Sequence, residues 1–329
     1  MAQTGKWMRN LTFLFLVLTI AACNPNKHQP VVVKLGDAPT FNSDTAYSFI
    51  EKQLAFGPRV PTTSGHQRCG DFIVSKLSDY GLQVTEQKDT VVGFDKRSFP
   101  LRNITGSINP ENPRRVLLCA HWDSRPYTDQ ANENRSDSLV GANDNASGVS
   151  VLMEIARNLA QTNPKIGVDL VFFDVEDQGR PAYEPAAGPD DYGYCLGSIY
   201  WANNLNGYKA EYGILLDMVG AKDAIFALES ISMANAKPTM LKVWDMGHQL
   251  GYGDYFQYNR VKPVYDDHKY INEGSDIPCI DIIDHDANTP SEFGKYWHTH
   301  DDNIRLIDNK TLQAIGQTVM QVVYNEPGS

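Results

Sequence analysis

Positive charge is in short supply in this sequence: 29 Lys and Arg stand against 40 Asp and Glu in 329 residues, a formal charge of −11. A protein that tracks a phosphate backbone needs a cationic face, so nucleic acid is excluded as the main partner. Long apolar runs are equally scarce. The longest, residues 11–22 (LTFLFLVLTIAA), falls short of the ~20 apolar residues a membrane-crossing helix requires. Cysteine is sparse too, with five in the chain and no CxxC pair, which removes thiolate-zinc and thioredoxin-type chemistry. No internal repeat points to a solenoid or propeller. What is present, 42% hydrophobic and 21% charged residues, is ordinary globular composition.

The start of the chain reads as an address. Lys6 and Arg9 precede the short apolar run, and small residues close it, the pattern of a secretory signal. The junction Ile20-Ala21-Ala22-Cys23 resembles a bacterial lipobox, so residues 1–22 are expected to be removed and Cys23 to carry lipid. Membrane contact would then run through that anchor alone, on an exported, periplasm-facing protein. Residues 23–40 read as a tether and residues 41–329 as a single catalytic domain. Export permits disulfides among Cys69, Cys119, Cys195 and Cys279. Cys119 and Cys279 lie inside apolar runs, which suits free buried thiols equally well.

Helical periodicity marks residues 41–56, 65–80, 146–160, 196–205, 237–250 and 310–324. Strands are expected at 83–92, 101–108, 115–120, 168–173, 212–218, 224–229 and 277–283. The continuous runs RVLLCA and VDLVFF suit strands covered on both faces. Alternating buried strands and helices imply an α/β fold, a three-layer α/β/α sandwich around a mainly parallel mixed sheet.

In such a sheet, ligands bind beyond the carboxyl ends of the strands, and that is where acids and imidazoles collect. RVLLCA leads into His121-Trp122-Asp123, VDLVFF into Asp174-Val175-Glu176-Asp177, and YGILL into Asp217. Asp266-Asp267-His268 precedes the last strand, Trp297-His298-Thr299 follows it, and Asp144 lies in GANDNASG at the mouth of a helix. Strands that each end in a carboxylate or imidazole are hard to explain by folding alone. An oxygen- and nitrogen-rich set of this kind suits Zn²⁺. A carboxylate beside a ligand but not on it, as Glu176 is beside Asp177, suits a general base.

The series His121-x-Asp123, Asp144, Glu176-Asp177, Asp217 and His298 resembles the zinc-dependent aminopeptidase superfamily. Within it, the chain is most similar to the animal-type (type II) glutaminyl-peptide cyclotransferases. The matching segments are FGPRVP at 56–61, CGDF at 69–72, NITGS at 103–107, AHWDS at 120–124, DDH at 266–268 and WHTHDDN at 297–303. That resemblance implies one zinc per chain on Asp144, Asp177 and His298, with Glu176 as acid/base and Asp217 and Asp266 as a hydrogen-bonded, proton-sharing pair. Trp297 would wall the substrate pocket, while His121, Asp267 and His268 would support the site without binding metal. A cis peptide is implied at Asp144–Asn145. The chain departs from the family's usual Glu-Glu pair with Glu176-Asp177, and lacks the aromatic that follows it; Tyr183 is offered as a substitute.

The implied reaction closes an N-terminal glutamine of a peptide or exported protein into pyroglutamate, releasing ammonia. An exported dinuclear zinc aminopeptidase stays open as the alternative, with His121 and Asp217 binding a second metal bridged by Asp144. A non-catalytic domain on the same fold would require lost ligands, and every expected position is filled.

Overall fold

The computed structural model describes residues 1–2, 28–185 and 193–328. Cys23 and the expected signal from residue 3 onward lie outside the described residues.

Helices α1 (Ser43–Leu54) and α2 (Ser64–Asp79) lead into an antiparallel pair, β1 (Gln83–Val92) and β2 (Ser98–Ile108). Then follow β3 (Arg115–His121), α3 (Ala146–Thr162), β4 (Gly167–Phe173), α4 (Leu196–Asn203) and β5 (Gly213–Asp217). The chain continues through β6 (Phe226–Leu228), α5 (Ser230–Asn235), α6 (Lys237–Gln249), β7 (Phe256–Arg260), α7 (Asp267–Gly274), β8 (Cys279–Ile283) and α8 (Asn309–Tyr324).

Six strands form the main sheet in the order β1-β2-β4-β3-β5-β8. β2 pairs antiparallel with β4, and the remaining neighbours β4, β3, β5 and β8 are parallel. The alternation along β3 shows both layers: Val116, Leu118 and Ala120 enter one core, and Leu117 and Cys119 the other. The larger core holds side chains of α1, α2, α3, α6 and α8, and the smaller one holds Trp201 of α4 and Ile271 of α7. This is the three-layer arrangement expected, with a mostly parallel sheet.

The order also places the site. From β3 the chain crosses to β4 on one side, and from β5 it runs to β8 on the other. The carboxyl ends of β3 and β5 therefore flank a reversal of strand order, where α/β sheets leave a crevice. His121 closes β3 and Asp217 closes β5.

Three differences from the sequence reading have physical reasons. The segment DHKYINEG is a helix, α7, that its polarity concealed; Asp266 caps it by accepting from Asp267 N. QYNR in β7 carries no apolar alternation and pairs only with β6 in a separate two-stranded sheet. The described part of the expected tether is not loose: Gln317 and Gln321 of α8 and Asn325 at its C-cap follow at four-residue steps, and these bind the backbone of Pro39, Phe41, Gly36 and Lys34. Asp245 and Gln249 of α6 hold Val31 and Val33 in the same way. Among the described residues no disulfide forms, and Cys69, Cys119, Cys195 and Cys279 are buried thiols.

Gly197 lets α4 approach the turn after β4. A Cβ there would collide with the Asp174 backbone carbonyl, which cannot swing away as a side chain can. Gly197→Ala is therefore expected to cost roughly 1–3 kcal/mol of stability, read as a lowered midpoint in thermal unfolding; an unchanged midpoint would contradict this packing.

Candidate metal centre and active site

A cavity of about 910 Å³ opens at the carboxyl edge of the parallel strands, with Asp144, Glu176, Asp177, Asp217, Asp266, Trp297 and His298 among its lining residues. Asp144 is held from below: Asp302 accepts the N–H groups of Asn143 (2.6 Å) and Asp144 (3.0 Å). The Asp144–Asn145 peptide is cis, and Asn145 donates to Leu216 O of β5 while its side-chain oxygen caps α3. Asp123, just beyond β3, accepts the N–H groups of Glu176 (3.0 Å) and Asp177 (3.1 Å), fixing the turn after β4. Val175 in that turn and His298 in its loop both take left-handed backbone conformations.

These constraints bring two donor sets together. Ligand atoms of Asp144, Asp177 and His298 lie within 4.8 Å of one another, and so do those of His121, Asp144 and Asp217. His298 Nε2 stands 3.5 Å from both Asp144 Oδ2 and Asp177 Oδ1, while His121 Nε2 stands 3.1 Å from Asp144 Oδ1 and 3.3 Å from Asp217 Oδ1. All five residues are buried, and Asp177 Oδ2 and Asp217 Oδ1 have no hydrogen-bond partner. Buried carboxylate oxygens without partners are costly. A cation facing them removes that cost, so the residues present fit a bound metal ion.

Burial pushes Asp217 up to about 6, Asp266 and Asp177 up to about 7, and Asp267 up to about 8, each with a neighbouring carboxylate adding to it. Glu176 is raised by burial as well; His121 opposes the shift and Asp177 adds to it. Burial also works against ionised Asp144, but His121 and His298 outweigh it and hold that carboxyl below its usual range. Asp217 faces His121, whereas Asp266 uses Oδ1 to cap α7 and leaves Oδ2 unpartnered. The Asp217 carboxylate raises the proton affinity of Asp266.

Around this centre, Trp297 stacks on His298 with ring centroids 3.8 Å apart and lines the cavity. His268 joins Glu229 at 3.1 Å, and Glu229 in turn accepts Val264 N, tying down the segment that carries Asp266. Asp267 accepts from Ser198 of α4. Tyr183 is a correction: it is 43% exposed, edge-on to Tyr127, and outside the cavity lining. After Gln178 the chain turns outward at Pro181, where Ala182 N is bound by Asp129, and among the described residues that follow Gly193 and Tyr194 line the cavity.

Two buried residues escaped the sequence reading. Arg125 donates two hydrogen bonds to Asp129 (2.7 and 2.9 Å) and one to Asp177 Oδ1 (3.1 Å), and Tyr194 lies over its guanidinium. Asp129 also faces His298 Nδ1 at 3.3 Å, so one acid and one guanidinium orient two of the donors. The R-x-x-x-D spacing alone carries no such signal, because the contacts are made with residues far along the chain.

The model of peptidase family M28 matches residues 103–323, and the chain belongs to that family. It is similar in structure to Tannerella forsythia glutaminyl cyclase, with 46% identity and a TM-score of 0.85 over 88% of this chain and 100% of that one. A Zn-dependent exopeptidase from Parabacteroides distasonis matches to the same identity, TM-score and coverage. The glutaminyl-peptide cyclotransferase of Boiga irregularis is 27% identical over 305 residues, covering 80% of this chain and 76% of its own.

Two expectations follow. From the unfolded carboxylate range up to about pH 8, the raised acids bind more protons in the folded chain than in the unfolded one. Their contribution therefore stabilises the metal-free fold at low pH and is lost as pH rises. Chelator-treated protein is expected to melt lower near pH 8 than near pH 6, and added divalent cation to narrow the gap; a pH-independent melting temperature without metal would contradict this. Asp129→Asn should weaken metal binding roughly 10–100-fold, measured by chelator competition, and an unchanged affinity would remove Asp129 from the site.

Proposed function

We propose that this protein is a glutaminyl-peptide cyclotransferase acting on peptides or exported proteins with an N-terminal glutamine. One observation carries the reading. Glu176 is a buried carboxylate on the cavity wall, adjacent to the Asp144, Asp177 and His298 donors yet outside their cluster. The similarity to a solved bacterial glutaminyl cyclase over that protein's whole length supports it.

Asp144, Asp177 and His298 would hold one zinc ion, and their buried oxygen and nitrogen atoms suit it. Zinc bound there supplies a Lewis acid for the substrate's γ-amide carbonyl. Glu176 accepts the proton of the α-amine as that nitrogen bonds to the side-chain amide carbonyl carbon, Cδ. The same carboxyl returns the proton to the amide nitrogen, which leaves as ammonia when its bond to carbon breaks. Burial keeps the proton affinity of Glu176 high enough for both transfers. Asp217 and Asp266 stand behind it, and Trp297 closes the pocket beside the reacting residue.

Export with a lipid at Cys23 is part of the same reading, supported by the apolar run at 11–22 and the small residues before that cysteine. Among the described residues, no helix is long and apolar enough to cross a membrane.

A second reading, a dinuclear aminopeptidase, is favoured by the equally tight cluster of His121, Asp144 and Asp217. Incubation with a glutamine-initiated peptide separates the two. Ammonia release with no shortening of the chain is expected; free amino acids would overturn the cyclase reading. Glu176→Gln should retain zinc and lose roughly 10²–10⁴-fold in turnover, measured as ammonia release against metal content, and near-normal turnover would remove Glu176 from its role.

A further inference from the structure

The two oxygens of Glu176 face different neighbours. Oε2 lies 3.9 Å from His121 Nε2, on the side of the metal donors, whereas Oε1 accepts from Cys195 Sγ at 3.1 Å. The thiol is fully buried and held in place: Cys195 N donates to Glu176 O, Leu196 N donates to Val175 O, and Cys195 takes a left-handed conformation at the start of α4. From the other side comes Asp266, whose buried Oδ2 has no partner. Ligand atoms of Glu176, Cys195 and Asp266 all lie within 4.8 Å of one another.

We propose that Glu176, Cys195 and Asp266 form a separate cation site, selective for a soft divalent metal such as Cd²⁺ or excess Zn²⁺, whose occupancy switches the enzyme off. Thiolate sulfur selects soft metals over Mg²⁺ or Ca²⁺. Binding breaks the Cys195 S–H bond, releases that proton to solvent and forms a metal–sulfur bond, with no change of oxidation state. The local charge accommodates a second dication, because Asp266 and Asp267 are buried near Glu176, Asp217 and Asp281 are buried near Asp266, and these acids outnumber the nearby imidazoles of His121 and His268. A metal on Oε1 pins the Glu176 carboxylate and occupies the group that must accept and return a proton. The inhibitory effect rests on the acid/base role of Glu176; the binding itself does not.

The test is titration of the zinc-loaded enzyme with Cd²⁺, following the ultraviolet thiolate-to-cadmium charge-transfer band, zinc content and ammonia release together. One equivalent of cadmium should produce the band with zinc retained, and activity should fall in proportion. Cys195→Ser should abolish the band and raise the cadmium concentration for half-inhibition at least tenfold. Asp266→Asn keeps the thiol and should weaken the band's apparent affinity by a similar factor, which covers the case in which Cys195→Ser does not fold. A band that persists in Cys195→Ser, inhibition that tracks zinc loss, or full inhibition without a band would overturn the site. A band without loss of ammonia release would instead remove Glu176 from the reaction while leaving the metal site standing.

Discussion

Buried negative charge that demands a counter-charge is the constraint on which this structure depends. Asp144, Asp177 and Asp217 converge with His121 and His298 where almost no solvent reaches them. Like charges at such separations in a desolvated site cannot all ionise. Protons meet the demand in the metal-free chain: burial, with neighbouring carboxylates adding to it, raises Asp177 and Asp217, and with them Asp266 and Asp267, toward or above neutrality. A divalent cation meets it better and leaves the carboxylates ionised. Metal binding, proton affinity and stability are thus one linked property of this cluster.

The scaffold makes that cluster possible by rigid means. Two parallel strands deliver His121 and Asp217 across the crevice at the reversal of strand order. Asp123, Asp302 and Asp129 spend their oxygens on backbone N–H groups, Arg125 or His298, and so fix the elements that carry the donors. Acids that hold the frame and acids that face the cavity differ in what their oxygens touch.

Much of this was legible in the sequence. Apolar runs ending in His121, Glu176-Asp177 and Asp217 predicted both the strands and the edge on which chemistry collects, because the periodicity of a doubly covered strand and the polarity of its end are local signals. Arg125 and Asp129 were not legible, since their roles come from contacts with Asp177 and His298 across long stretches of chain. Tyr183 was placed in the pocket by its nearness in sequence to Glu176, yet the turn at Pro181 carries it outward and Tyr194 lines the cavity instead. The strap at 28–40 read as loose because its own side chains carry no pattern; what binds it is a row of amides on α8 and at its C-cap.

The measurement that tests the account most directly is a crystal structure of the zinc-loaded protein with anomalous scattering at the zinc edge. One zinc on Asp144, Asp177 and His298 is predicted, with Glu176 unligated and Asp217 still facing His121. Two zinc ions bridged by Asp144, the second on His121 and Asp217, would contradict it and make the protein a dinuclear hydrolase.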